Sequence, residues 1–479
     1  AFDDGRWDDS PPPLSIESQR RLDEFAVIAF SLSFELDYIR AANLIRRCEM
    51  RPLASEREGV DPILIAGGPA VSANPMPLAP LFDAFVIGEA EEIAHDLCSA
   101  LAAHFGDRER LLRRLAELPG LYVPAVHGRR QRVRRLWLDD LDRYPTRSTI
   151  WTAEAEFGDM HLVEATRGCR RGCRFCLAGH VSRPWRERSL EVVLDAAREG
   201  LPHRDKVGLV GAALSDYSRI DELTRRLLEM KARISVSSLR ADSVSETLLD
   251  GLAAGQAQTV TIAPEAGSER LRRVIGKGLT EEQLRRAARM IAARGFSQLK
   301  LYFMLGLPTE EEEDAEALIG LVSRLAHDFP RHISVNLTPF VPKAHTPFQW
   351  EAAPRPALVK ARLARVSRAL RRRGVEVRPE GVDWASVQAA LSRGDERLAA
   401  ALLHMRRPSL SAWRASLRAT GLDQDELLAG RRQGETLPWD VIDSGISPEF
   451  LRLAADRAAS GKPPAECPGA GCTVCGVCE

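Results

Sequence analysis

Seven of the nine cysteines in this 479-residue chain fall into two tight groups. The first group is Cys169, Cys173 and Cys176 in TRGCRRGCRFC, and the second is Cys467, Cys472, Cys475 and Cys478 at the carboxyl end. Thiols spaced by two to four residues are typical of metal ligands, whereas disulfide frameworks are typical of small secreted chains. The remaining two, Cys48 and Cys98, stand alone in helical surroundings, and we expect both to be small buried side chains without a function.

The first group has the spacing C-x3-C-x2-C, which places three thiolates close enough to hold three corners of a cubane iron-sulfur cluster. Three ligands leave one iron open, so that a cofactor or substrate can bind the metal directly. Gly168 and Gly172 allow the loop to wrap closely around such a cluster. Zinc is the alternative, but structural zinc sites usually have four ligands and no His-x3-5-His pair follows.

With Phe175 as its aromatic residue, the segment resembles the C-x3-C-x-aromatic-C motif of the radical S-adenosylmethionine (radical SAM) superfamily. The resemblance implies a [4Fe-4S] cluster on the three cysteines, with S-adenosylmethionine chelated through its amino and carboxylate groups at the open iron. It also implies an external electron donor of the flavodoxin or ferredoxin type. One electron from the cluster would cleave the cofactor to methionine and a 5′-deoxyadenosyl radical.

Residues 161–345 alternate six short β-rich runs with amphipathic helical segments, which predicts a partial (β/α)6 barrel of parallel strands. Capping boxes at Thr280 with Gln283 and at Thr309 with Glu312 predict two helix starts. The acidic run at residues 310–314 is then the first turn of a helix, where carboxylates complement the helix dipole.

In barrels of this kind the chemistry takes place at the carboxyl ends of the strands. The candidate cofactor-binding residues there are Ser238, Arg240, Glu265 and Gly267, with Gly306 and Pro308 closing the fifth strand. The resemblance implies contacts to the ribose, carboxylate and adenine of S-adenosylmethionine, and an ordinary ion pair or loop cap is the alternative for each residue.

The family usually carries a Gly-Gly-Glu-like turn after the second strand, where it holds the methionine amine. This chain reads GLVGAALSDYS, which keeps Gly211 and lacks the acid. Ser215 or Asp216 is the expected substitute.

Residues 1–125 predict a truncated doubly wound α/β lobe, with glycines and acids directly after its strands. Gly67, Gly68 and Pro69, followed by Gly88, Glu89 and Glu91, resemble the GGP and GEGE motifs of cobalamin-binding domains that precede many radical SAM barrels. The resemblance implies a bound cobalamin. The Asp-x-His-x-x-Gly motif that supplies a cobalt ligand is absent, and a lobe that only covers the barrel mouth is the alternative.

Residues 126–160 are expected to form a linker or hairpin, and residues 346–460 a helical region in which 353–374 is the clearest amphipathic run. The arginines of that run, and those at 129–135, could line an RNA backbone or bind carboxylates, but a solvated helix face is favoured. In the tail, 461–479, four thiolates spaced C-x4-C-x2-C-x2-C can close an iron-sulfur cluster or a zinc site. The C-x2-C-x2-C core favours iron and sulfur.

The charge balance excludes a global attraction to nucleic acid or anionic membranes, because Lys plus Arg and Asp plus Glu both number 67. The longest nearly apolar stretch, residues 25–34, is about half the length of a membrane span, and no signal segment opens the chain. We therefore expect a cytoplasmic protein. The first residue is Ala1 and not Met, so we also expect the natural start to be missing.

The sequence thus predicts a radical enzyme with an unknown substrate, RNA and protein included. Methylation at an unactivated carbon is expected if cobalamin binds. Without cobalamin, hydrogen abstraction or methylthio transfer through the second metal centre is expected instead. A non-catalytic iron-sulfur or zinc scaffold is the remaining alternative.

Overall fold

The computed structural model describes residues 12–104 and 106–478. The chain divides into two compact units. Unit 1 comprises Ala1–Leu138, Val341–Ala353 and Asp383–Ile446, and unit 2 comprises Asp139–Phe340, Pro354–Val382 and Ser447–Glu479. The region expected to be one helical segment, 346–460, is therefore shared between the units, because the chain passes from one core to the other several times.

The strands are, in chain order, β1 (Val27–Ser31), β2 (Ile63–Gly67), β3 (Ala84–Val86), β4 (Leu121–Tyr122), β5 (Val133–Arg134), β6 (His161–Glu164), β7 (Thr166–Arg167), β8 (Arg186–Glu187), β9 (Lys206–Val210), β10 (Arg233–Val236), β11 (Ser238–Leu239), β12 (Thr259–Glu265), β13 (Gln298–Leu305), β14 (His332–Pro339), β15 (Glu376–Pro379) and β16 (Ile442–Asp443).

The α-helices are α1 (Asp37–Arg47), α2 (Pro69–Ala73), α3 (Ala94–Ala103), α4 (Arg108–Ala116), α5 (Pro124–His127), α6 (Ala178–Val181), α7 (Leu190–Gly200), α8 (Ile220–Glu229), α9 (Glu246–Ala254), α10 (Glu269–Val274), α11 (Glu281–Ala293), α12 (Glu312–Asp328), α13 (Pro356–Arg371), α14 (Val382–Arg393), α15 (Leu398–His404), α16 (Leu410–Thr420), α17 (Gln424–Leu428) and α18 (Pro448–Ala459).

Unit 1 is built on a four-stranded sheet in which β1, β2 and β3 are parallel and β4 is antiparallel to β3. The first four residues of β2, Ile63 to Ala66, are all buried, which is typical of a parallel strand covered on both faces. Helices α1 and α15 share one core with this sheet. The predicted α/β lobe is confirmed. Within the expected linker or hairpin, β5 pairs in parallel with β16, and Arg147 forms an antiparallel bridge with Val163.

Unit 2 contains the predicted barrel. All six predicted strands are present: β6, β9, the broken strand β10 and β11, β12, β13 and β14. Their pairings are all parallel, in a three-stranded sheet ordered β10-β9-β6 and a five-stranded sheet ordered β11-β12-β13-β14-β15. A seventh parallel strand, β15, follows α13 and pairs with β14. The amphipathic run at 353–374 is thus the helix of an additional barrel unit.

Along β13, buried and partly buried residues alternate strictly, so one face of the strand belongs to the core and the other faces the barrel interior. Leu299, Leu301, Phe303 and Leu305 are buried against the surrounding helices. The intervening residues are only partly buried and point to the opposite face, because successive side chains of a strand alternate. In β14 the alternation begins at Val335, after which Asn336 and Thr338 are partly buried between buried neighbours, so both strands present polar side chains to the barrel interior.

The capping box at the start of α11 is confirmed. The Thr280 hydroxyl accepts a hydrogen bond from the Gln283 amide at 3.2 Å, and the Gln283 side chain accepts one from the Thr280 amide at 2.9 Å. Each partner satisfies an amide that the first helical turn leaves unpaired.

The capping box predicted at Thr309 is wrong. Helix α12 starts at Glu312 with Glu311 as its N-cap, and the Glu311 amide donates to Asp314 at 2.8 Å. Thr309 has a φ of 60° and belongs to the turn that precedes the helix. The prediction of acidic residues in the first helical turn is confirmed for Glu312, Glu313 and Asp314, whereas Glu310 lies before the N-cap Glu311.

Among residues 12–104 and 106–478, no helix is long and apolar enough to cross a membrane. Cys48 is buried as expected, but Cys98 is exposed, because it lies on the outer side of α3.

Candidate metal centre and active site

The first cysteine group lies on the loop between β7 and α6, directly after the first barrel strand. Gly168 opens this loop with a φ of +80°. A Cβ at this position would lie 2.5 Å from the carbonyl oxygen of Ser182 and 2.6 Å from that of Pro184. Only glycine combines this conformation with such close packing, so the turn into the cysteine loop requires it.

The three thiols of this loop are withdrawn from solvent and act on one another. Cys169 and Cys173 are each 8% exposed, and the Arg171 amide lies 3.4 Å from the Cys169 sulfur. Burial, followed by the neighbouring Cys173, raises the pKa of Cys176 to about 12. Thiolates in such surroundings need a cation, and a bound metal supplies it. Three convergent sulfurs on one loop fit an iron-sulfur cluster with an open iron.

Arg174 holds the cysteine loop in place. Its side chain has no exposure, and its guanidinium donates four hydrogen bonds of 2.6–2.9 Å to carbonyl groups. The acceptors lie on α10 and its end, on α18 and in the tail: Arg273, Val274, Ala454 and Lys462. Burial lowers the pKa of Arg174 to about 10. Among the described residues, no carboxylate forms an ion pair with it, so the motif carries a buried cation between Cys173 and the half-buried Phe175.

Asp216, one of the two expected substitutes for the missing acid, lies at the cysteine loop but is already paired. Its two oxygens each accept a hydrogen bond of 2.7 Å from Arg171. Burial alone would raise the pKa of Asp216, but the pairing with Arg171 outweighs it and holds the pKa below its usual value. Ser215, the other candidate, is bonded to Ser243 at 2.9 Å.

Arg240 and Ser238 occupy different environments at the end of the third strand. The Arg240 guanidinium forms two hydrogen bonds of 2.9 and 3.0 Å with Asp242 and a third of 3.0 Å with the Lys277 carbonyl. Its side chain is 10% exposed, and its charge acts on Cys173. Ser238 is exposed in β11. Arg240 therefore lies near the cysteines, with its charge balanced by Asp242.

Glu265 ends β12 at the same rim of the barrel. Its φ of 69° is rare for a residue with a side chain and marks a backbone held by its surroundings. Its carboxylate lies 3.4 Å from the ammonium group of Lys277. Lys277 also acts electrostatically on Cys176, so it connects Glu265 to the cysteine loop. Sequence reasoning missed Lys277, which follows a helix and not a strand.

The glycines predicted at the strand ends serve packing inside unit 2. A side chain at Gly211 would overlap the buried Thr166 hydroxyl, which has no hydrogen-bond partner in residues 12–104 and 106–478. At Gly267 it would overlap the backbone of α12 at Leu318. Gly306 has a φ of 82° and donates from its amide to Glu310 at 2.5 Å, while Pro308 lies in the turn that leads to α12.

The barrel interior carries polar residues that sequence reasoning also missed. Lys300 and Tyr302 of β13 form a cation-π contact of 5.0 Å, and Asn336 of β14 stands opposite Tyr302 in the strand register. The Asn336 side-chain oxygen is buried and, within the part of the chain that the structure describes, has no hydrogen-bond partner. In the segment LKLYFML, the residues between the apolar ones could have been assigned to the barrel interior from the sequence, because the apolar residues already define the core face.

The first tail cysteine lies beside the cysteine loop. The Cys467 amide donates to the Arg170 carbonyl at 2.7 Å, and its sulfur lies 3.4 Å from the amide of Trp185. From the standard dimensions of the backbone, the Cα atoms of Cys467 and Cys169 are within about 11 Å of each other. Pro464 packs on Gly172, where an added Cβ would lie 2.6 Å from the proline Cβ. The tail therefore covers the loop that holds the first group.

The other tail cysteines fold back toward Cys467. The Cys475 carbonyl accepts a hydrogen bond of 2.8 Å from Ser447, at the start of α18. Burial raises the pKa of Cys478, and the nearby Cys475 and Cys467 add to this. Cys472 is half-buried. Within the part of the chain that the structure describes, no three His, Cys, Asp or Glu side chains lie as close as the ligands of one metal ion. Thiolates of a cubane cluster bind different irons and stand farther apart.

In unit 1, the glycines at the strand ends are packed closely against other residues of the same unit. A Cβ at Gly68 would lie 2.6 Å from the Leu32 carbonyl oxygen, and one at Gly67 would touch Val86. At Gly88 a Cβ would overlap Leu136. The Glu89 side chain accepts a hydrogen bond of 2.9 Å from the Leu138 amide. Cobalamin binding stays a prediction of the sequence.

Two family models match the chain. Residues 163–322 match the radical SAM superfamily, and residues 7–124 match the N-terminal region of radical SAM proteins. The chain is also 33% identical over 398 residues to an uncharacterized protein, MJ0966, of Methanocaldococcus jannaschii, with 82% of this chain and 83% of that protein covered. The chain belongs to the radical SAM superfamily. It is therefore an enzyme, and enzymes of this superfamily use a [4Fe-4S] cluster, S-adenosylmethionine and an electron donor.

Two further relatives carry names that describe a reaction. An uncharacterized methyltransferase, PH0819, of Pyrococcus horikoshii is 26% identical, with 56% of this chain and 59% of that protein covered. The tRNA-2-methylthio-N(6)-dimethylallyladenosine synthase of Prosthecochloris aestuarii is 27% identical, with 44% of this chain and 50% of that protein covered. This radical SAM chain thus spans between half and three fifths of each.

Among solved structures, the radical SAM methyltransferase TsrM from Kitasatospora setae has the same fold over much of its length. The TM-score is 0.50 at 16% identity, with 68% of this chain and 66% of TsrM covered. The likeness confirms the α/β architecture with a radical SAM barrel.

Proposed function

We propose that this radical SAM enzyme modifies RNA or protein by a methylthiotransferase-like reaction that uses two metal centres. Cys169, Cys173 and Cys176 hold the [4Fe-4S] cluster that binds S-adenosylmethionine. Cys467, Cys472, Cys475 and Cys478 hold a second iron-sulfur cluster. The two relatives named for group transfer support the reaction class.

One observation carries the proposal: the Cys467 amide is hydrogen-bonded to the Arg170 carbonyl, one residue after Cys169. A tail that only stabilised the fold could bind its metal anywhere on the surface. Here the first tail cysteine is 4% exposed and lies against the loop of the first group. A second centre in this position is close enough to the first to take part in its chemistry.

The residues around the cysteine loop have distinct tasks. When bound, the cluster and S-adenosylmethionine supply reductive cleavage to a carbon-centred radical. Arg174 fixes the loop through its four carbonyl partners, and Arg171 joins the loop to Asp216 and, at 3.1 Å, to Glu466 of the tail. Lys300, Tyr302 and Asn336 offer polar contacts to a cofactor or substrate in the barrel. The tail and loop exclude water from the thiols, which protects a radical reaction from side products.

Cobalamin-dependent methyl transfer is the second candidate. The parallel strands β1, β2 and β3 and the fold shared with TsrM favour it. Gly68 and Gly88, which would approach the corrinoid, are instead packed against Leu32 and Leu136. We therefore favour the reaction with two metal centres over cobalamin-dependent methyl transfer. For either reaction, we expect a flavodoxin-like or ferredoxin-like protein to supply the electrons.

The proposal is tested by anaerobic reconstitution with iron and sulfide, followed by dithionite and S-adenosylmethionine. Wild-type protein should form 5′-deoxyadenosine. A Cys173→Ala variant should lose this product and part of the iron-sulfur absorbance, whereas the matched Cys48→Ala variant, at a buried cysteine outside both groups, should keep both. Formation of 5′-deoxyadenosine by Cys173→Ala at the wild-type rate would contradict the ligand assignment.

A further inference from the structure

Three polar side chains lie close together on the interior face of the barrel in unit 2. Lys300 and Tyr302 belong to β13, and Asn336 of the neighbouring strand β14 stands opposite Tyr302 in the register. Their chain neighbours Leu301, Phe303 and Val335 point the other way, into the core under the helices. All three polar side chains are partly buried, so they border the space inside the barrel. We call them the interior cluster.

The ammonium group of Lys300 is a cation without a counter-ion. It lies 5.0 Å from the ring centre of Tyr302, and among the described residues it forms no ion pair. The acid at the same level of the sheet, Glu376 of β15, has other partners, because it is bonded to Arg378 at 2.7 Å and to His332 at 2.8 Å. The interior cluster therefore carries a positive charge that no carboxylate of the described chain balances.

The other two members of the interior cluster also have unused hydrogen-bonding groups. The Asn336 side-chain oxygen is buried, and neither it nor the Tyr302 hydroxyl has a hydrogen-bond partner within residues 12–104 and 106–478. A buried acceptor that stays unpaired costs about 1 to 3 kcal/mol. The polar side chain two residues earlier on β14 is satisfied, since Ser334 accepts a hydrogen bond of 2.8 Å from Gln298. The unpaired groups of the interior cluster therefore indicate a site that a ligand completes.

The chemistry of the interior cluster matches an anionic ligand that also carries a hydrogen-bond donor. A carboxylate can accept hydrogen bonds from the Lys300 ammonium group and from the Tyr302 hydroxyl, and such charge-assisted bonds are the stronger kind. Arg378 adds to the positive field, because it stands opposite Asn336 in the register and interacts electrostatically with Tyr302. The Asn336 oxygen can accept a hydrogen bond from an N–H group of the same ligand.

The depth of the interior cluster distinguishes between RNA and protein as the source of the anion. Tyr302 and Asn336 each lie three residues before the end of their strand, about 10 Å below the rim of the barrel. RNA carries its charge on a backbone that continues in both directions, so only an uncharged base would reach this depth. An acidic side chain carries its charge at the tip, and its own backbone supplies an N–H donor. The observations therefore favour a protein.

We infer that the interior cluster binds the carboxylate of an acidic side chain in a protein substrate. Lys300 and Tyr302 donate hydrogen bonds to the carboxylate, and Asn336 accepts one from an N–H group of the same residue. The inference deepens the proposed function by naming protein, and not RNA, as the substrate class, and it rests on that function for the reaction that follows binding.

The experiment measures ligand binding by ligand-observed NMR, with anaerobically reconstituted protein and saturating S-adenosylmethionine. The probes are N-acetyl-aspartate N-methylamide and its uncharged isostere, N-acetyl-asparagine N-methylamide. Wild-type protein should bind the aspartate probe about tenfold more tightly than the asparagine probe. Lys300→Met should bind the two probes equally, and Asn336→Leu should bind the aspartate probe about fivefold more weakly than wild type. The matched control is Lys231→Met, which removes an exposed lysine in the turn after α8 and should bind both probes as wild type does.

Several outcomes would overturn the inference. They are wild-type protein that does not prefer the aspartate probe, a Lys300→Met variant that keeps the preference, and a control variant that loses it. Tighter binding of adenosine 5′-monophosphate than of the aspartate probe would favour a nucleotide, and binding of the aspartate probe only without S-adenosylmethionine would assign the cluster to the cofactor.

Formation of 5′-deoxyadenosine by wild-type protein is measured in parallel, without either probe. If the product forms but the preference for aspartate is absent, the inference fails and the radical SAM assignment stands. If the preference is present but the product does not form, the carboxylate site stands and the proposed function fails.

Discussion

The amide of Cys467 and the carbonyl of Arg170 are joined by a hydrogen bond of 2.7 Å, although nearly 300 residues separate them in the chain. The contact ties the first cysteine of the tail to the residue after the first cysteine of the radical SAM motif. Trp185 holds the Cys467 sulfur from the other side at 3.4 Å. Because the tail packs on the loop that carries the first cysteine group, loss of the tail should affect the surroundings of the first cluster as well.

Removal of a tail ligand should lower the iron content without abolishing the first cluster. Wild-type protein with two cubane clusters should hold about eight irons per chain, and Cys475→Ser about four. The measurement is iron and sulfide analysis after anaerobic reconstitution and desalting. Cys98→Ser, at an exposed cysteine outside both groups, is the matched control and should keep the full content.

The same elemental analysis identifies the metal that the tail cysteines bind. If wild-type protein binds about four irons and one zinc, the tail is a zinc site. Equal iron content in wild type and Cys475→Ser, with no zinc in either, would contradict a metal centre in the tail.

Replacement of Arg174 by Met should destabilise unit 2. The buried guanidinium satisfies four carbonyl groups, and a thioether leaves all four without a donor. The expected loss is about 3 to 5 kcal/mol in the free energy of unfolding. Urea unfolding of reconstituted protein under anaerobic conditions measures it, with Arg368→Met at an exposed position as control. A loss below about 1 kcal/mol would mean that the loop is held by other contacts.

The motif and the barrel were predictable because their information is local. The spacing of Cys169, Cys173 and Cys176 specifies a loop, and six alternating runs specify parallel strands with helices between them. The capping box at Thr280 is equally local. The four-residue strand β15 was missed, since its sequence EVRP carries two charged residues and no apolar run.

The partners of the site residues were not predictable, because they come from distant parts of the chain. Nothing in the spacing of Arg171 and Asp216, 45 residues apart, indicates that they pair. The expectation that Asp216 replaces the missing acid of the family therefore did not take its partner into account. The position of the tail against Gly172 depends in the same way on the completed fold.

Acid should destabilise unit 1 through His345. Its imidazole is 6% exposed, its Nε2 has no hydrogen-bond partner among the described residues, and burial, followed by the charges of Arg132 and Arg135, lowers its pKa to about 4. A histidine whose pKa is below its ordinary value favours the neutral form in the folded state. The neutral imidazole therefore contributes fully to the stability of the folded state above about pH 6.5. As the pH falls toward 4 this contribution is lost, and the free energy of unfolding decreases by up to about 3 kcal/mol.

Urea unfolding at several values between pH 7 and pH 4 measures this dependence. His345→Gln should unfold with a smaller loss of stability over this range than wild type. The exposed His95→Gln variant should follow the wild-type curve. If the curves of His345→Gln and wild type run parallel, His345 does not contribute to the acid sensitivity.

Hydroxocobalamin should not be retained by this chain at one equivalent. At Gly68 and Gly88, the backbone packs closely on Leu32 and Leu136. The Glu89 carboxylate is bonded to the Leu138 amide. The measurement is the absorbance spectrum of reconstituted protein after loading and gel filtration, with free hydroxocobalamin as the reference. Stoichiometric retention would place methyl transfer through cobalt ahead of the reaction with two metal centres.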